Sequence, residues 1–102
     1  MTIMAAKIRQ PYGNVFADLG FSAAEAENLK VRADLMGRLA SVIATRELSQ
    51  AQAARLFGVS QRPVSDLIRG KIGRFSVDTL IEMLGHAGIE VNITTRTRRR
   101  VA

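Results

Sequence analysis

Residues 48–71 read LSQAQAARLFGVSQRPVSDLIRGK, and this stretch decides the fold. Ser49 stands three residues before Gln52, the spacing at which each side chain satisfies an orphan amide of the other, so a short helix is predicted from Gln50 to Phe57. Gly58 can end it in a left-handed turn. Ser60 is placed to cap the next helix, Gln61 to about Arg69, which presents Val64, Leu67 and Ile68 to a core at helical spacing before Gly70 stops it. Pro63 falls in the first turn, where its missing amide would be an orphan anyway. The same proline pushes Arg62 away from ideal helical angles.

Two short helices joined by so tight a turn make a helix-turn-helix when small and apolar residues stand where they close on each other. Ala54 is small at the point of closure, Gly58 supplies the positive φ, and Val59 and Val64 plug the space between; Ala53, Phe57 and Leu67 complete the apolar set. The polar residues left over on the second helix are Gln61, Arg62, Ser65, Asp66 and Arg69. They suit base edges and phosphates, Gln pairing with adenine and Arg with guanine in the major groove. Gln50 and Ser60, at helix N-termini, can offer side-chain and backbone N–H groups to phosphate oxygens, with Arg69, Lys71 and Arg74 as nearby cations.

Charge follows the same division. The formal net charge is +6; residues 1–45 hold five basic and four acidic side chains, residues 46–102 ten basic and five acidic. The positive excess therefore lies with the motif, as a polyanion-binding surface requires. No cysteine is present and His86 is the sole histidine, which argues against disulfides, thiolate zinc sites and nucleophile–imidazole catalysis, so neither an enzyme nor a metal or other cofactor is expected. Residues 1–10 lack the apolar core of a signal peptide, and the apolar run Leu39–Thr45 is far shorter than the ~20 residues a bilayer demands, so no membrane partner and a cytoplasmic location are expected.

Working outward, Ser22 and Glu25 repeat the capping spacing and open a long helix whose face is Leu29, Ala33, Met36, Ala40 and Ile43, widened by Leu35, Leu39 and Val42. Glu47 occupies the stop position that favours glycine. On the other side, Ser76 caps a helix with the stripe Val77, Leu80, Ile81 and Leu84, ending near residues 85–88, where His86 can complement the helix dipole. Met36 and Met83 read as core or interface filler. Ile89 to Thr94 then alternates apolar with polar and predicts a half-buried strand, which needs a neighbour: the segment 15–21, apolar at alternate positions and predicted extended, or the same strand in a second subunit. The resulting division is an N-terminal arm over 1–14, one domain over 15–95 and a basic tail over 96–102 containing Arg98, Arg99 and Arg100.

The quoted motif resembles the Xre/Cro-type helix-turn-helix, and the wider pattern, with NVFADLGF before it and FSVDTLIEML and IEVNI after it, resembles the HigA-like antitoxins of toxin–antitoxin pairs. The resemblance implies a mainly α, lambda-repressor-like domain of about four to five helices with a short C-terminal β-strand. It further implies a homodimer that represses its own operon on double-stranded operator DNA and neutralises a RelE/HigB-type ribonuclease toxin. The residues expected at DNA are Gln50, Ser60, Gln61, Arg62, Ser65, Asp66, Arg69 and Lys71; those expected at the dimer interface are Ile89, Val91 and Ile93; those expected at the toxin are Phe16, Leu19 and Phe21. The alternative is a stand-alone or phage-type regulator with no toxin. Two features depart from the commoner pattern, Glu47 in place of glycine and the order Arg62-Pro63 in place of Pro-Arg.

Overall fold

Asn14, just ahead of the first helix, shows how local chemistry sets the architecture. Its side-chain oxygen accepts from the Phe16 amide at 2.8 Å, capping a one-turn helix, while its Nδ2 donates to the Ala26 carbonyl at 2.8 Å and ties that turn to the long helix beyond it. The computed structural model describes residues 14–97. Among them the chain forms α1 (Val15–Asp18), α2 (Ala23–Thr45), α3 (Gln50–Phe57), α4 (Gln61–Ile68), a 3-10 turn (Ile72–Arg74) and α5 (Val77–His86). None of these helices is long and apolar enough to cross a membrane.

The capping pairs lie where their spacing places them. Ser22 and Glu25 close a reciprocal box at the start of α2, and Ser49 and Gln52 do so at α3, with the Ser49 amide donating to Gln52 Oε1 at 2.8 Å. Ser76 caps α5 by accepting from the Thr79 amide. At α4, Ser60 has the extended backbone of a cap, but its hydroxyl makes no capping bond.

Three helices supply most of the core. Met36, Leu39 and Val42 of α2, Ala53, Ala54 and Phe57 of α3, and Leu80, Met83 and Leu84 of α5 enclose Val64 and Leu67 of α4, with Phe75 closing the side beside the 3-10 turn. Both Met36 and Met83 are therefore core filler. The expected face of α2 is shifted: Ala40 is exposed and Ala26, under α1, is buried. Ile68 is not core either. It follows Leu67 by one residue, about 100° around the helix, and stands 52% exposed.

Two further expectations are corrected. Residues 15–21 are not extended, because the Asn14 cap lets Val15–Asp18 satisfy its backbone as a helical turn without a neighbouring edge. That change removes the intrachain partner expected for a C-terminal strand. Accordingly no strand occurs among the described residues: the Ile89 amide donates back to the Leu84 carbonyl at 2.9 Å as part of the α5 terminus, and residues 90–97 make no backbone hydrogen bond with other described residues. Ile89 and Val91 still pack on the core, so the alternation does its burying without a ladder. Of the arm expected over 1–14, Asn14 is instead the cap of α1 and residues 1–13 lie outside the described residues, as does the basic tail from residue 98.

Glu47 adopts the conformation the sequence would assign to glycine. Its φ is +51°, and the Leu48 amide reaches the Ile43 carbonyl at 3.0 Å across it. A side chain in that region is strained. Glu47→Gly is expected to raise stability by about 0.5–1 kcal/mol, read from the midpoint of urea unfolding; an unchanged or lowered midpoint would mean that the strain is already relieved.

Candidate nucleic-acid interface

The geometry of the α3–α4 unit follows from what its turn must do. Gly58 takes φ +71° and ψ 31°, and the Val59 amide bonds the Ala54 carbonyl at 3.0 Å. The chain can therefore reverse within the residues 58–60 and lay α4 against α3. Val64 and Leu67 then anchor α4 from below, at 0% and 4% exposure. With those two facing inward, Arg62 and Arg69, seven positions apart, lie on the opposite side of the helix.

Most of the expected residues are exposed. Gln61, Arg62 and Arg69 on and just beyond α4 are exposed, as are Ser60 before it and Lys71 after it; Ser65 is half-buried. Gln50 is exposed at the first position of α3. Because the Ser60 hydroxyl is not spent on capping, it and the first amides of α4 remain available to an acceptor.

Asp66 is placed differently. Its side chain is 13% exposed and pairs with Arg74 at 3.9 Å, in a groove lined by Ser60, Arg62, Pro63, Asp66, Arg74 and Phe75. It faces the 3-10 turn more than open solvent. A residue that sequence reasoning missed controls that turn from the far side: Arg32 of α2 donates from Nη1 to the carbonyls of Ile72 at 3.1 Å and Phe75 at 3.2 Å, and from Nε to Asn28 Oδ1 at 2.7 Å. The Asn28–Arg32 spacing was legible as a one-turn helical pair, but a bond across 40 residues has no local signature.

The residues expected at partner surfaces are dispersed. Phe16 and Phe21 meet edge to face with ring centroids 6.4 Å apart, leaving Leu19 and Phe21 exposed together with Val15. Of the expected dimer residues, Ile89 and Val91 are partly buried against their own core and Ile93 is 68% exposed.

The helix-turn-helix domain family matches residues 15–96. A solved structure described as "Putative XRE Family Transcriptional Regulator" superposes with a TM-score of 0.68 at 34% sequence identity, over 76% of this chain and 91% of that one. This chain belongs to the XRE family. No curated protein matches it. As an XRE-family helix-turn-helix protein it is a DNA-binding transcriptional regulator, and its family is not one of enzymes. The match across residues 15–96 takes in every helix described above and so extends beyond the α3–α4 motif.

Proposed function

We propose that this XRE-family protein is a repressor that binds a palindromic operator as a homodimer, autoregulates its operon and neutralises a RelE/HigB-type ribonuclease toxin. The observation that carries the DNA half of this reading is the outward face of α4, where Gln61, Arg62 and Arg69 stand exposed over the locked pair Val64 and Leu67. A rigid support matters, because base-edge hydrogen bonds discriminate only when the donor is held in register. Gln61 and Arg62, at the start of the helix, are the base readers. Gln50, Ser60, Arg69 and Lys71 hold phosphates, with Ser65 alongside, and so fix the register without selecting sequence.

Two copies place two such helices in successive major grooves, about 34–36 Å apart. The second copy is met through residues 89–93. Ile93 projects an apolar side chain to solvent there, and the backbone of residues 90–97 makes no backbone hydrogen bond with other described residues. Ile89 and Val91 back this surface from the core side. The antitoxin half is supported by the resemblance to HigA-like proteins and by the apolar surface at α1, where Leu19 is 70% and Phe21 45% exposed beside the half-buried Phe16.

Titration against a duplex carrying the protein's own upstream region, at two salt concentrations, tests the reading. The specific complex should outlive binding to a scrambled duplex as salt rises. Gln61→Ala is expected to change which sequence is preferred, whereas Arg69→Ala weakens all duplexes alike and lowers the salt slope by about one. Uniform weak binding to any duplex would overturn the repressor. Failure of the product of the adjacent reading frame to co-purify would remove the toxin partner and leave the stand-alone regulator.

A further inference from the structure

Asp66 lies on the helix that meets a polyanion, yet it is an anion itself. In the open such a carboxylate would repel phosphates; here it is turned into the groove beside the 3-10 turn, 13% exposed, with Arg74 Nη1 at 3.9 Å as its one described side-chain partner. Opposite charges this close attract, more strongly where water is partly excluded from one of them. Arg74 is half-exposed in return, at 52%, so the pair has a covered acidic end and an open basic end. At 3.9 Å the contact is an electrostatic tether rather than a hydrogen bond, and it constrains where the guanidinium dwells without consuming its donors.

The backbone that carries Arg74 is held independently. Arg32 clasps the carbonyls of Ile72 and Phe75, the residues that bracket Gly73 and Arg74, and is itself steadied by Asn28. Phe75, 4% exposed, anchors the end of the turn in the core. A single glycine-containing turn is thus fixed from three directions: by a guanidinium behind it, an aromatic ring below it and the α4 carboxylate beside it. The side chain all of this orients is Arg74, in the same groove as Arg62 and the uncapped Ser60.

From this juxtaposition we infer that Asp66 and Arg32 are positioning residues for Arg74, which acts as a phosphate-holding cation preset beside α4, and that Asp66 reads no base. The inference rests on the DNA-binding reading above. It assigns Asp66 a role opposite to the one its place in the motif suggests.

A double-mutant cycle tests it, with affinities for the upstream-region duplex and for a scrambled duplex measured over a range of salt. Arg74→Ala should weaken both duplexes alike and lower the salt slope by about one. Asp66→Asn, which keeps shape and removes charge, should weaken binding about threefold in the wild-type background but strengthen it in the Arg74→Ala background, where only its repulsion of phosphates remains. That reversal of sign is the signature of positioning. An equal gain in both backgrounds would show that Asp66 is merely an unfavourable charge and overturn the inference. A change of base preference on Asp66→Asn, persisting without Arg74, would overturn it in favour of a base reader. Arg32→Met, which keeps the stem and deletes the donors, should lower the salt slope as much as Arg74→Ala and add nothing to it; an unchanged slope would overturn the role of Arg32. If no variant, the wild type included, prefers the upstream-region duplex, it is the repressor reading that falls.

Discussion

Phe57→Ala is expected to lower the stability of the fold by about 3–5 kcal/mol, the largest effect of any single change considered for this protein. Phe57 is the last residue of α3 and is completely buried, within a cluster contributed by α2, α4 and α5. Removing its ring deletes the transfer energy of a phenyl group and leaves a cavity that four elements would have to collapse together to fill. Domains of this size have about 5–15 kcal/mol in total, so the change removes a large share of the stability available. Urea unfolding followed by circular dichroism measures the loss. Phe57→Leu, which keeps most of the volume, should recover much of it and restore binding to the upstream-region duplex. A loss for Phe57→Ala below about 1 kcal/mol would mean that the α3–α4 unit is not held through this residue.

Legibility in the sequence follows the range of the interaction. The helix boundaries at Ser22, Ser49 and Ser76 were readable because a cap is a bond between residues three apart, and Ser49–Gln52 and Ser22–Glu25 each close as their spacing requires. The turn at Gly58 and the burial of Ala54, Val64 and Leu67 were readable for the same reason. Short apolar runs were harder. Val15 to Phe21 has an alternation that fits a strand, yet the Phe16 amide donates to the Asn14 side chain and Val15–Asp18 is helical, which leaves residues 89–94 without the strand partner expected for them.

The candidate site shows the same limit. Exposure of Gln61, Arg62 and Arg69 follows from the positions of Val64 and Leu67 on one helix, so composition and period suffice. Ile68 reads as core from its apolar side chain beside Leu67, but the 100° step between neighbours on a helix turns it to solvent. The setting of Asp66 has no local signature because its partner Arg74 belongs to another element, and that of Arg32 has none because its acceptors are backbone carbonyls, which every residue has.

Gly58→Ala is expected to be the second most damaging change, and comparison with Glu47 shows why. Both residues take left-handed backbone at the end of a helix, at φ +71° and +51°. Glu47 is exposed, so its cost is backbone strain. Gly58 lies under the ring of His86: a Cβ there would stand 2.9 Å from Cδ2 and 3.0 Å from Cγ and Nε2. The substitution therefore adds a steric conflict to a left-handed strain of about 1–2 kcal/mol. Thermal and urea unfolding should show a loss above that range. The ring is on an exposed residue and its removal separates the two terms: in a His86→Ala background, Gly58→Ala should cost only the backbone strain. DNA affinity should fall with the full substitution, since the ring or the turn must shift and α4 moves with the turn. An equal loss in both backgrounds would show that the ring yields freely, and no loss in either would mean that the α3–α4 turn does not depend on glycine at all.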